Sequence, residues 1–145
     1  METGIKVADC MRTSLVTVLD STPVVIAAKK MAESGVGSLL VTNSQKGIYG
    51  IITERDLVVK VLALNKVNTT VKEICTKTLI TIPVTDDIST AAKLMGEKNV
   101  KRLVVTSQGK IVGLVSQKDL ISIAPSLYDY IVEEKPKSTA KLKVY

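Results

Sequence analysis

The chain of 145 residues has no histidine, no tryptophan and no phenylalanine, and only four tyrosines. Without an imidazole there is no histidine general base and no histidine-based triad. Zinc sites of the His/Cys type are excluded on the same ground. Two cysteines, Cys10 and Cys75, cannot complete a structural tetrad, so no metal is expected. The scarcity of aromatics argues against a single-strand nucleic-acid binder, which stacks bases on Phe, Tyr or Trp. Long apolar runs are also missing: the stretch Leu57 to Leu64 is broken by Lys60 and is far too short to span a bilayer. Met1 to Ile5 carries no apolar h-region. With so few cysteines, this sets the expectation of a reducing, cytoplasmic setting without membrane association. Neither a Walker loop nor a G-x-G-x-x-G fingerprint occurs.

What remains is an aliphatic protein. Apolar residues make up 46% and charged residues 23%, a globular composition whose core must be built from Val, Ile, Leu, Ala and Met. Twenty basic and fourteen acidic side chains leave a formal charge of +6, which favours anionic partners. A Lys-rich soluble surface accounts for the same number.

The chain repeats itself. Shifted by 64 positions, residues 7–42 fall on 71–106 with 12 identities in 36 positions, among them Val7/Val71, Thr17/Thr81, Ala27/Ala91, Met31/Met95, Leu39/Leu103 and Thr42/Thr106. Composition alone gives roughly two or three. After a one-residue gap in a polar turn the register becomes 63, and Ile48/Ile111, Gly50/Gly113, Asp56/Asp119 and Leu57/Leu120 coincide. Each copy reads strand, helix, strand, strand, helix. The strands are Leu15–Val18, Val36–Thr42 and Ile48–Thr53 in the first copy, and Leu79–Ile82, Val100–Thr106 and Ile111–Ser116 in the second. The first helices run over Thr22–Ser34 and Asp87–Lys98, with apolar residues at helical spacing and left-handed stops at Gly35 and Asn99. The closing helices are Glu54–Leu64 and Gln117–Ile123. The expected fold is α+β: two βαββα repeats packed about a pseudo-twofold axis with two related clefts. Repeat one spans 7–64, repeat two spans 71–123, Lys66–Thr70 links them, and 124–145 is a charged tail with weak order signals.

One signature recurs at the same place in both copies: Gly50-Ile51-Ile52-Thr53-Glu54-Arg55-Asp56 and Gly113-Leu114-Val115-Ser116-Gln117-Lys118-Asp119. A hydroxyl followed three residues later by an acid is a capping box. The same corner suits a ligand, because a helix start presents free N–H groups to a phosphate. Its Asp can accept two hydrogen bonds from a ribose diol, each worth roughly 1.5–3 kcal/mol when charge-assisted. The two readings are compatible: Thr53 can cap while Asp56 binds. Arg55 and Lys118 are expected to be exposed first-turn residues, Met31 and Met95 core, and both cysteines packing thiols.

This duplicated βαββα pattern, closed each time by G-h-h-T/S-x-x-D over about residues 7–123, resembles a tandem pair of cystathionine-β-synthase (CBS) domains, a Bateman module. The resemblance implies a non-catalytic regulator that binds AMP, ADP, ATP or S-adenosylmethionine between the repeats, has no cofactor, pairs into homodimers and signals to a separate effector protein. It implies that Asp56 and Asp119 hold ribose, with Thr53 and Ser116 near phosphate or sugar. It also implies that Val16, Thr17, Val36, Gly37 and Ser38 in one copy, and Ile80, Thr81, Val100, Lys101 and Arg102 in the other, enclose the adenine. Lys101 and Arg102 replace Gly37 and Ser38. Members of the family often direct a basic pair here at phosphate, so unequal sites are expected, with the phosphorylated ligand on the Arg102 side. Two other readings stand beside this one. The first is a nucleic-acid-binding module using Lys135, Lys137, Lys141 and Lys143, opposed by Glu133, Glu134 and the missing aromatics. The second is a dimerisation scaffold whose ligand sites have decayed.

Overall fold

A computed structural model describes residues 2–45 and 47–134. The chain divides into two compact units. The first unit is Ser14–Leu79. The second joins the segment up to Thr13 with the chain from Ile80 onward.

In the first unit β1 (Thr17–Leu19), α1 (Val24–Ser34), β2 (Ser38–Asn43) and β3 (Gly47–Thr53) lead into α2 (Glu54–Asp56), which continues as a π-helical stretch over Leu57–Leu62. The short helix α3 (Val71–Ile74) follows. In the second unit a 3-10 turn at Val7–Asp9 precedes β4 (Thr81–Pro83), α4 (Ile88–Lys98), β5 (Arg102–Ser107), β6 (Lys110–Ser116), α5 (Gln117–Ile123) and α6 (Leu127–Glu134). The sheets are ordered β1-β2-β3 and β4-β5-β6, each with one parallel and one antiparallel pair.

The βαββα order expected from the sequence is present in both copies. Gly35 and Asn99 are both left-handed, with φ of 64° and 52°, and end α1 and α4. Both antiparallel pairs carry an irregularity at the same place, so that Tyr49 in one and Val112 in the other is the extra residue of a bulge. The bulge turns Tyr49 toward Asp20, to which its hydroxyl donates at 2.7 Å. Burial and this bond push the Tyr49 phenol up to about 12.

The cores use equivalent positions. Val18, Val24, Ala27, Met31, Leu39, Val41 and Ile52 are buried in the first unit, and Ile82, Ile88, Ala91, Met95, Leu103, Val105 and Val115 in the second. Part of each core comes from the other repeat's leading segment, Val7 and Cys10 in the second unit and Val71, Ile74 and Cys75 in the first. Val7 is fully buried in the second unit and Val71 in the first. Burying one such side chain is worth roughly 1.5–3 kcal/mol. Backbone bonds repeat the exchange: Val7 N–H donates to Asp86 O (2.8 Å) and Val71 N–H to Thr22 O (2.9 Å), while Arg12 pairs with Leu114 as Thr76 pairs with Ile51. The motif glycines make room for this. A Cβ on Gly113 meets Met11 Sδ at 2.7 Å and Arg12 O at 3.0 Å, and one on Gly50 meets Thr76 O at 3.0 Å.

Three sequence expectations change. The tail is not weakly ordered where it begins, because α6 packs on α4 and buries Leu127 and Ile131. The helix expected over Glu54–Leu64 is α-helical for one turn only, with Ala63 N–H donating five residues back to Val58 O. Pro23 is the N-cap of α1 rather than a residue of its first turn. Lys135, Lys137, Lys141 and Lys143 lie outside the described residues.

Candidate functional site

In each unit the sequence-selected residues gather at one end of the sheet. Parallel pairing puts the starts of β1 and β2 side by side, and the antiparallel β3 ends beside them. Ser38 lies across from Thr53, and Thr17 across from Leu40. Val16 accepts from Leu40 N–H at 3.0 Å, Gly37 accepts from Glu54 N–H at 3.0 Å, and Val36 packs against the core. The second unit repeats this. Arg102 lies across from Ser116 and Thr81 across from Val104. Ile80 accepts from Val104 N–H at 2.9 Å, Lys101 accepts from Gln117 N–H at 2.7 Å, and Val100 packs against the core. Lys101 is exposed and Arg102 half-buried.

Both capping boxes form. Thr53 Oγ1 accepts from Asp56 N–H (3.2 Å) and Asp56 Oδ2 from Thr53 N–H (2.9 Å). Ser116 Oγ accepts from Asp119 N–H (3.0 Å) and Asp119 Oδ2 from Ser116 N–H (3.0 Å). The free amides expected for a phosphate are thereby reduced. The first helical N–H goes to Gly37 or Lys101 and the third to the cap hydroxyl, so two first-turn donors at each corner are already engaged.

The other carboxylate oxygen, Oδ1, is where the sequence reading fell short. Each is held by a cation that the reading did not select. Lys60 Nζ lies 3.0 Å from Asp56 Oδ1 and also donates to Ile74 O at 3.0 Å. Arg12 places Nη2 at 3.1 Å and Nε at 3.3 Å from Asp119 Oδ1. The register places Ile123 opposite Lys60 and Thr76 opposite Arg12, so the two corners reach the same pairing by different routes. Lys60 follows Asp56 by four residues, a spacing that was legible. Arg12 is 107 residues from Asp119 and sent no local signal. Burial pushes the Asp119 carboxyl up, but the Ser116 hydrogen bonds and the Arg12 guanidinium outweigh it and hold the group below the ordinary carboxylate range.

The corners differ in charge. The second unit carries the cations Arg12, Lys101, Arg102 and Lys118 at positions where the register gives Thr76, Gly37, Ser38 and Arg55 in the first. Arg55 and Lys118 are exposed, as the sequence indicates, and Met31 and Met95 are buried. Cys10 and Cys75 are buried, and burial raises both thiols. The first unit also has an open groove of about 390 Å³ lined by Thr17, Leu19, Thr22, Ile26, Lys30 and Thr42. Lys30 donates there to the Thr17 carbonyl. Among the described residues no helix is long and apolar enough to cross a membrane.

The CBS domain family model matches residues 7–63 and again 71–126. Over 142 residues the chain is 34% identical to an uncharacterized protein of Methanopyrus kandleri, covering 96% of this chain and 72% of that one. A crystal structure of an uncharacterized conserved protein from Pyrococcus horikoshii is similar with a TM-score of 0.79 at 28% identity, covering 97% of this chain and all of that one (100%). A CBS domain pair crystallised in complex with 5′-methylthioadenosine and S-adenosyl-L-methionine is similar with a TM-score of 0.76 at 25% identity, over 84% of this chain and 97% of that one. With two matches at the register its own repeats define, and two three-stranded sheets in the corresponding order, the chain belongs to the CBS domain family and is a tandem CBS pair.

Proposed function

We propose that this CBS pair is a non-catalytic, cytoplasmic regulatory module. It binds an adenosine-type ligand (AMP, ADP, ATP or S-adenosylmethionine) at its strand-to-helix corners and reports the bound state to a separate protein. One observation carries the reading. At both corners a largely buried Asp is oriented by its cap through Oδ2, while among the described residues Oδ1 is held by a side-chain cation. A carboxylate fixed in this way is pre-set to accept a sugar diol once the cation yields. The four cations at the second corner favour a phosphorylated ligand there. The related pair solved with two adenosine derivatives supports the ligand class. Ligand binding shifts the module between states by no more than its differential affinity for them.

The test is a thermal-unfolding panel with AMP, ADP, ATP and S-adenosylmethionine. Ligand at about 100 times its dissociation constant adds roughly 2.7 kcal/mol. Asp119→Ala is expected to weaken one site about ten- to a hundredfold and to leave the other intact, and Asp56→Ala the converse. No stabilisation by any of the four ligands rejects the reading.

A second reading, self-association, is favoured by Val58, Val59, Leu62 and Leu64, four neighbouring apolar side chains that are about half exposed or more. A related CBS protein is hexameric. We propose a homodimer of pairs, to be checked by sedimentation equilibrium of the wild type against Val58→Glu with Leu62→Glu.

A further inference from the structure

We propose that Arg12 is a specificity-determining residue of the Asp119 corner. It competes with a ligand's diol for Asp119 Oδ1 and, once displaced, pairs with the anionic group of the same ligand. The inference rests on the diol-binding reading above and adds to it a residue from the opposite end of the sequence.

The acceptors at Asp119 are nearly used up. Oδ2 takes the Ser116 amide at 3.0 Å. Oδ1 takes both Nη2 and Nε of Arg12, at 3.1 and 3.3 Å. A vicinal diol brings two further O–H donors, so it needs Oδ1 and must turn the guanidinium away. The guanidinium can turn without disturbing the fold. The Arg12 backbone is anchored, its N–H to Leu114 O at 2.8 Å and its carbonyl to Leu114 N–H at 3.0 Å. The side chain, by contrast, is 62% exposed and lies on one carboxylate oxygen instead of forking across two. Pivoting on that fixed Cα, the displaced cation stays beside the bound sugar. A ligand that carries an anion gives it a new partner, and a neutral nucleoside does not. Arg12 therefore penalises the diol alone and favours the diol joined to a phosphate.

The first unit lacks this device. Thr76 occupies the position equivalent to Arg12. Lys60, which holds Asp56 there, also donates to the Ile74 carbonyl at 3.0 Å and projects from the same helix as its Asp. The two corners thus differ in how a ligand's charge is read.

The experiment measures adenosine and adenosine 5′-monophosphate binding by calorimetry in the full chain carrying Asp56→Ala, so that Asp119 alone reports, with and without Arg12→Gln. Arg12→Gln is expected to tighten adenosine about threefold and weaken the monophosphate about tenfold, since a charge-assisted contact is exchanged for a neutral one. Arg12→Lys is expected to fall between. Arg102→Gln is expected to weaken the monophosphate without tightening adenosine, because Arg12 and not Arg102 holds Oδ1. Unfolding midpoints of the variants check that each is folded. An unchanged ratio of the two affinities in Arg12→Gln overturns the role of Arg12 while leaving the site standing. If neither ligand binds the parent chain, the diol reading fails and this inference fails with it.

Discussion

Asp87 accepts hydrogen bonds from Ser89 N–H at 2.8 Å, Gly4 N–H at 2.8 Å and Thr3 N–H at 3.1 Å, and from the Thr3 hydroxyl at 2.9 Å. It caps α4 and ties the start of the chain to it with one side chain. Burial alone raises its pKa, but the Ser89 and Thr3 bonds overcome this and hold the carboxyl well below the ordinary range. A depressed folded-state value means that the stabilisation is present at neutral pH and is lost as pH falls below about 4 and through the folded-state pKa. Asp119 is shifted in the same direction and adds to the same acid limb. Asp87→Ala is expected to cost about 2 kcal/mol at pH 7, through the lost cap and the stranded amides. In urea unfolding followed against pH, the gap between wild type and Asp87→Asn narrows toward pH 3. A gap that stays constant from pH 7 to pH 3 excludes an ionised Asp87 as its source. In the first copy Pro23 stands at this position, so the tie is made once.

At the scale of elements, the glycine of the repeated motif is explained by packing. Gly113 and Gly50 let a foreign segment lie against β6 and β3, where the free strand edge pairs at Arg12 and Thr76. The opposite edges are guarded differently: Pro83 blocks β4, and Lys30 occupies the Thr17 carbonyl on β1. Gly113→Ala drives a Cβ to within 2.7 Å of Met11 Sδ, and its cost is expected at about 1–3 kcal/mol. Amide exchange is expected to speed up at Arg12 and Leu114 in this variant while Ile51 and Thr76 keep wild-type protection. Equal change at both places argues against a local cause. The α2 turn shows where local pattern loses its hold. The repeats align through Asp56 and Asp119, yet the helix after Asp56 widens and that after Asp119 does not. Nothing in the apolar spacing of Leu57–Leu62 separates the two outcomes.

At the scale of the whole molecule, each compact unit is completed by the other repeat's leading segment. A chain beginning at Thr13 loses Val7 from the second core, the Asp87 tie and the Arg12 pair, but nothing from the core of the first unit. Such a truncation is expected to lower the stability of the second unit by about 2–5 kcal/mol, one buried valine together with one cap. Two separate unfolding transitions should then be resolved by tryptophan probes placed one per unit. A single transition at the wild-type midpoint contradicts the exchange.

The sequence by itself determined the duplication, the βαββα order, the helix stops at Gly35 and Asn99, the matched core positions and the two capping boxes. All of these depend on residues within a few positions of one another or on a constant register of 64 or 63. The tertiary structure alone decided which leading segment enters which core, that α6 (Leu127–Glu134) folds onto α4, and that Arg12 stands on Asp119. Those contacts join residues far apart in the chain. Their energies come from burial and charge pairing, which fold-level geometry brings together and local pattern does not encode.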